Sequence, residues 1–256
     1  MRFKIAIVGA LIAVVAIPAT AGASWIKVRR KGADGILDAA RSAATQKRWG
    51  AVFRAKVSRG HPLADATVHI AREPIPAKKG QPQQYRSSVV IEGVGGRVAL
   101  ALEGDTITMR LPGSKKPAKG TGKGLFTMVP RVNVPLALFV MHDIARLYDA
   151  KLEGEFGGTA VLRLTPKYGG LKGLQACKVG VSKRNRFPEM AEFGHGDARK
   201  GVKLAWTGIE KVQGQLVPRG LRIMRMGRRT YLDFERVALL MGARAKHLRF
   251  GKKAVR

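Results

Sequence analysis

Along most of this chain apolar and polar residues alternate one by one. Phe53, Ala55 and Val57 are interleaved with Arg54, Lys56 and Ser58. Val98, Leu100 and Leu102 lead into Gly104-Asp105, after which Ile107, Met109 and Leu111 oppose Thr106, Thr108 and Arg110. The same period runs through Val68 and Ile70, Val89 and Ile91, Leu162 and Leu164, Val179 and Val181, Leu204 and Trp206, Leu221 and Ile223, and Leu232 and Phe234. A two-residue period places one set of side chains on each face of a strand. The pattern predicts a sheet of about ten or eleven strands, apolar on one face and polar on the other. Short connections rich in glycine favour an antiparallel meander.

Two stretches follow a helical period instead. Asp34 can cap a helix through about Arg48, with Ile36, Leu37, Ala40, Ala43 and Ala44 on one face and Gly50 beyond its end. Pro135 suits the first turn of a second helix. Leu136, Phe139, Val140, Ile144 and Leu147 recur at helical spacing through about Asp149, and Gly154, Gly157 and Gly158 lie past it. A sheet this large cannot leave an apolar face in water. With two helices available, the economical solution is an unclosed antiparallel β-barrel, mainly β with few helices, whose concave face the helices cover. Such an interior is large enough for an apolar ligand. On this reading Phe53, Val57, Ile91, Leu100, Ile107, Met109, Leu111, Leu162, Leu164, Trp206, Leu221 and Ile223 are candidate cavity residues. Leu136, Phe139, Val140, Ile144 and Leu147 form a lid helix.

The first residues address the chain to a compartment. Arg2 and Lys4 precede an apolar run from Ile5 to Ile17, Pro18 breaks it, and Ala21-Gly22-Ala23 stands before Ser24. That order reads as a signal peptide, residues 1–23, cleaved near Ala23. The run is short for a membrane span. Residues 24–256 then form one domain in the periplasm or otherwise outside the cytoplasm, with its last few residues disordered.

Charge adds a partner class. The chain holds 48 Lys and Arg against 17 Asp and Glu, a formal net charge of +31. Such a surface seeks polyanions, and export makes anionic head groups a better match than nucleic acid, which is not expected as a partner. Lys115, Lys116, Lys119 and Lys123 concentrate charge in a Gly/Pro-rich loop suited to anionic-surface docking.

No constellation of residues adds catalytic chemistry. Gly120-Thr121-Gly122-Lys123-Gly124 lacks the earlier glycine and the hydroxyl residue of a phosphate loop and reads as a basic hairpin tip. His142-Asp143 and His195-Gly196-Asp197 have no nucleophile elbow and read as solvated surface. Glu153 and Glu155 read as a solvated turn, and the single cysteine, Cys177, as a half-buried strand residue. No metal-ligand spacing occurs. The expectation is a protein that is not an enzyme and needs no cofactor or metal.

The order of these elements resembles the LolA-type periplasmic lipoprotein carriers and, more nearly, their relatives, the outer-membrane lipoprotein-sorting proteins. Five stretches between about 33 and 235 carry the resemblance. They are Ala33-Asp34-Gly35-Ile36-Leu37, Glu103–Pro112 with its Gly-Asp turn, the stretch 135–149, Leu162-Arg163-Leu164-Thr165-Pro166 with Lys178–Val181, and Val217–Ile223 with Leu232-Asp233-Phe234. Ile107-Thr108-Met109 stands where that family usually has a Trp-hydrophobic-Tyr strand. The resemblance implies a concave apolar face, lidded by helices, that takes acyl chains of lipids or lipoproteins and exchanges them with inner- or outer-membrane transport partners. A carrier gains about 0.8 kcal/mol per buried CH₂ of its cargo. The alternative is an exported, basic polyanion-binding or structural surface protein with a filled core.

Overall fold

The computed structural model describes residues 25–44, 47–56, 66–76, 84–93, 96–104, 106–120, 122–126, 136–168, 173–194, 201–225 and 230–247. The expected signal peptide at residues 1–23, Val57, Pro135, the chain end and the His195-Gly196-Asp197 stretch lie outside them, and the Lys123 side chain is also outside the description. Helix α1 (Gly32–Ala44) precedes six strands: β1 (Trp49–Lys56), β2 (Thr67–Ile75), β3 (Gln84–Gly93), β4 (Gly96–Glu103), β5 (Thr106–Arg110) and β6 (Ala118–Gly120). A single turn, α2 (Gly122–Leu125), follows. Next come a 3₁₀ turn at Leu136–Phe139, α3 (Met141–Ile144) and a second 3₁₀ turn at Ala145–Leu147. The second half holds β7 (Tyr148–Phe156), β8 (Thr159–Pro166), β9 (Cys177–Ser182), β10 (Pro188–Phe193), β11 (Val202–Thr207), β12 (Glu210–Val212), β13 (Gln215–Val217), β14 (Gly220–Arg225) and β15 (Thr230–Met241).

Thirteen of these strands make one sheet, in the order β6-β5-β4-β3-β2-β1-β15-β14-β11-β10-β9-β8-β7. Every neighbouring pair is antiparallel. The sheet is not closed into a barrel. The chain builds outward from β1 to one edge at β6 and restarts at the other edge, β7. It then builds inward until β15 pairs with β1. Because the two edges are consecutive strands, the connection between them must cross from one side of the curled sheet to the other. The described parts of that connection are residues 122–126 and the segment 136–147; ten side chains of the latter are buried. The segment 136–147 is called the plug below.

The apolar faces meet in one large core. Phe53, Val68, Ile70, Leu100, Ile107, Leu162, Leu164, Leu221 and Ile223 belong to the same cluster as Ile36 and Leu37 of α1 and as Phe139, Val140 and Ile144 of the plug. Alternation accounts for it: β5 buries Ile107 and Met109 and leaves Thr106, Thr108 and Arg110 partly exposed.

Several expectations change. The main sheet has more strands than the alternation marked. In β7 and β10 the inward positions include small residues such as Ala150 and Ala191, which carry little hydrophobic signal. Glu153 and Glu155 lie within β7 and not in a turn. Helix α1 stops at Ala44, short of Arg48, because Trp49 is taken into the sheet opposite Met241. The second helix is not one helix through Asp149. Residues 136–147 form three short pieces, and Tyr148 already starts β7. A continuous amphipathic helix needs one polar face toward water, and a segment enclosed on nearly every side has none.

Leu111 was expected inward but is 37% exposed. β5 ends at Arg110, and the turn through Pro112-Gly113 releases Leu111 from the strand period. The stretch 120–124 is not a hairpin tip either. It holds the last residue of β6 and most of α2, and the tip falls at 111–117. Its glycines allow close packing: a Cβ on Gly124 would lie 2.6 Å from Met109 Sδ, and one on Gly120 would lie 2.7 Å from Ile107 Cγ2.

Candidate functional site

The interior of the curled sheet is apolar except where the plug is fastened. Two strands on opposite sides of the β1–β15 junction each present one hydrogen-bonding side chain inward. On β2, Arg72 continues the inward series Val68, Ile70, Arg72 and is fully buried. On β11, Trp206 follows Leu204 on the same face. The plug answers with adjacent residues. Arg72 donates from Nε to Asp143 Oδ2 at 2.9 Å and from Nη2 to the Phe139 carbonyl at 3.2 Å. The indole Nε1–H of Trp206 donates to His142 Nε2 at 2.9 Å. His142 and Asp143 point about 100° apart on a helical turn, which is why they reach two different strands.

This corrects the reading of His142-Asp143 as solvated surface, since both are buried. The side chains of Arg72 and Asp143 are only 1% and 3% exposed. The Arg72 guanidinium also lies over the Trp49 ring, 5.4 Å from its centroid. Aromatic rings enclose His142: Phe187 at 5.8 Å, edge-on, and Trp206 at 6.0 Å, with Phe53 a further 6.0 Å from Trp206. Burial, and secondly the Arg72 charge, hold the imidazole well below the usual histidine range, so it is neutral. Since Nε2 accepts from Trp206, the proton sits on Nδ1.

The fastening is incomplete. His142 Nδ1 and Asp143 Oδ1 are buried without a hydrogen-bond partner among the described residues. An unsatisfied buried polar atom costs about 1–3 kcal/mol. A buried ion pair seldom stabilises more than well-packed apolar residues of the same volume, whereas losing one partner is strongly destabilising. The plug is therefore held at definite points by bonds that a purely structural core would not require.

Ten of the twelve expected cavity residues lie in the core. Phe53, Leu100, Ile107, Leu162, Leu164, Leu221 and Ile223 are buried, as are Ile91, Met109 and Trp206, and all ten share one cluster with the plug residues Leu136, Phe139, Val140, Ile144 and Leu147. The plug packs into the same core as this face. One cleft lies beside α1 and another on the outer face of β14 and β15. Lys115, Lys116 and Lys119 are exposed. Cys177 is fully buried, 4.0 Å from Met141 Sδ on the plug, and burial pushes its thiol up to about 12. Among the described residues no group of three or more His, Cys, Asp and Glu could hold a metal ion. No described helix is long and apolar enough to cross a membrane.

Sequence reading missed Arg72 altogether, although its phase with Val68 and Ile70 was a signal. A cation at an inward strand position calls for a buried acid, and Asp143 was the acid inside a predicted helix.

Comparison with solved structures identifies the fold as LolA-like. The chain is similar to a LolA superfamily protein from Nitrosomonas europaea, with 16% identity, 81% of this chain and 92% of that chain covered, and a TM-score of 0.56. A DUF1329 family protein from Desulfovibrio piger matches at 16% identity, covering 82% and 93%, with a TM-score of 0.59. A domain from Vibrio parahaemolyticus ascribed to outer membrane lipoprotein sorting matches at 13% identity, covering 81% and 92%, with a TM-score of 0.50. No family model matches the chain. No curated protein matches it.

Proposed function

We propose that this protein is an exported carrier of lipid or lipoprotein acyl chains and that the plug is its lid in the closed position. The observation that carries the reading is the polar fastening of an otherwise apolar lid. Arg72–Asp143 and Trp206–His142 fix the plug over the apolar face without filling every hydrogen-bonding position. Moving the plug aside would expose Phe53, Leu100, Ile107, Met109, Leu162, Leu164, Trp206, Leu221 and Ile223 to a ligand. Acyl methylenes would then replace the buried contacts of Leu136, Phe139, Val140 and Ile144, at about 0.8 kcal/mol per CH₂. The LolA-like fold supports this use of the concave face. The role is binding and delivery, with no bond made or broken.

The leader-like residues 1–23 support a site of action in the cell envelope. The basic loop with Lys115, Lys116, Lys119 and Lys123 would add long-range attraction to anionic head groups. Inner- or outer-membrane proteins would supply and receive the cargo.

One observation favours a second reading. The described residues of the concave face are buried in one cluster with the plug, as they would be in a basic polyanion-binding protein with a solid core. Mass spectrometry of the natively purified protein separates the two. The carrier reading expects a sub-population heavier by the mass of a lipid that organic extraction releases, and saturable uptake of a fluorescent fatty acid. A solid-core protein shows a single apo mass and no uptake.

A further inference from the structure

The registers define two ends of the sheet. Ser182 at the end of β9 lies opposite Thr159 at the start of β8, next to the β7–β8 turn. Following the pairing across the sheet puts Pro188, Thr207, Gly220, Met241, Ile75 and Glu103 at this same end. The loop at 111–117 therefore lies at the other end. The first end gathers the β7–β8 turn, the β9–β10 turn, the β12–β13 hairpin and one side of α1.

Two features converge there. The first is a cleft of about 580 Å³ between α1, residues 184–186 and the β12–β13 hairpin. Lys31, Arg184, Arg186 and Lys211 line it, and Lys31, Arg184 and Lys211 form no ion pair among the described residues. The acid on its wall, Asp38, is paired with Arg41 at 3.4 Å. Arg186 is held at φ 60°, a left-handed conformation that costs energy in a non-glycine residue and persists only where the surroundings impose it. Its turn is pinned by Asn185 Oδ1 accepting from the Phe187 N–H at 2.9 Å and by the Arg186 N–H bond to the Ser182 carbonyl at 2.8 Å.

The second feature is two exposed apolar side chains at the same end of the sheet. Phe156 at the tip of β7 is 68% exposed, and Ile26 on the helical turn before α1 is 53% exposed. Glu155 ties these two segments together, bonding Arg29 at 3.0 Å and Lys183 at 2.6 Å. Lys183 also donates its N–H to the Gly158 carbonyl at 2.8 Å. Exposed large apolar side chains at the same end as a basic cleft suit an interfacial membrane contact: the ring and branched chain enter the head-group region while the cations meet phosphate.

We propose that this end of the molecule seats on an anionic phospholipid surface, a head-group phosphate entering the cleft among Lys31, Arg184, Arg186 and Lys211 while Phe156 and Ile26 enter the interface. This goes beyond acyl carriage and does not depend on it. Charge complementarity selects the occupant, since the cleft is basic and its single acid is neutralised.

The test is co-sedimentation with phosphatidylcholine vesicles, with and without phosphatidylglycerol, at low and high salt. Lys31→Ser/Arg184→Ser/Lys211→Ser should weaken binding to the anionic vesicles on the order of 100-fold at low salt, at about a factor of five for each cation lost. Ile26→Ser/Phe156→Ser should weaken it at both salt concentrations. A Lys115→Ser/Lys116→Ser/Lys119→Ser variant at the opposite end should lose far less. Parental binding by the cleft variant overturns the proposal, as does loss of binding confined to the opposite-end variant. Saturable binding of inorganic phosphate in the cleft without vesicle binding overturns it in favour of a soluble phosphate ligand. Fatty-acid uptake should be unchanged in all three variants, so failure of the seat and failure of acyl carriage are told apart.

Discussion

The plug and the α1/β7–β8 end are each joined to the sheet by an arginine–carboxylate contact of nearly the same length, and the two contacts have opposite consequences. Arg72 and Asp143 meet at 2.9 Å with side chains 1% and 3% exposed. Arg29 and Glu155 meet at 3.0 Å with side chains 61% and 19% exposed. Outside, water replaces either partner at little cost, so the contact positions a segment without committing it. Inside, removing one partner strands a charge in an apolar interior. A lid that must either close fully or leave suits the interior arrangement. A surface that must adapt to head groups suits the exterior one.

The largest expected effect is on the plug. Asp143→Ala should lower stability by about 3–5 kcal/mol, because it leaves the Arg72 charge buried and unpaired. Arg72→Met/Asp143→Leu should recover most of that loss by restoring volume without charge. Urea unfolding measures both. If the double variant is no more stable than Asp143→Ala, the pair is part of a packed core and not a polar fastening.

Met109→Glu tests the floor under the plug. The side chain is buried against Gly120 and Gly124, so the substitution places a carboxylate where no cation is expected to reach it. A loss of at least about 3 kcal/mol is expected from the buried charge and the strained packing. A folded variant of parental stability would show that this face opens readily to water.

A smaller effect concerns pH. His142 is neutral and its folded-state affinity for protons is depressed by burial and by Arg72. The unfolded chain takes up that proton near pH 6.5. The folded state thus binds fewer protons than the unfolded state below that pH. The stabilisation is fully present above about 6.5 and is lost as pH falls, with a slope of at most about 1.4 kcal/mol per pH unit from this group. His142→Gln keeps an acceptor for Trp206 and should flatten the slope between about pH 6.5 and 5. An unchanged slope would move the acid sensitivity to other groups.

The smallest effect is expected outside. Glu155→Gln should change stability by no more than about 1 kcal/mol despite two ion-pair partners, because Arg29 and Lys183 keep access to water, at 61% and 27% exposed, when the carboxylate is lost. A loss comparable to that of Asp143→Ala would erase the contrast between the two regions.

The chain's alternation disclosed the sheet and its inward set because a two-residue period commits a whole strand once one face is buried. Phe53, Leu100 and Ile107 needed nothing more. The curled, helix-covered architecture followed from the excess of strands over helices. The plug was harder. Leu136, Phe139, Val140 and Ile144 carried a helical period, but local period cannot show that the segment is enclosed on all sides. Enclosure breaks it into three turns and buries His142 and Asp143. The partners of those two residues, Trp206 and Arg72, lie 64 and 71 positions away, so nothing local marks the pairing. The cleft beside α1 is equally non-local, assembled from three turns and a helix face whose cations look like any others in so basic a chain.

The central claim is that the plug must leave the concave face for an acyl chain to enter. Met141 Sδ lies 4.0 Å from Cys177 Sγ, the single cysteine of the chain, so Met141→Cys puts a second thiol on the plug facing β9. Oxidation, verified by loss of free thiol, should fasten the plug covalently. The oxidised variant should lose fatty-acid uptake, and reductant should restore it to the level of the parent. Equal uptake by the oxidised and reduced forms, with the disulfide formed, would contradict it.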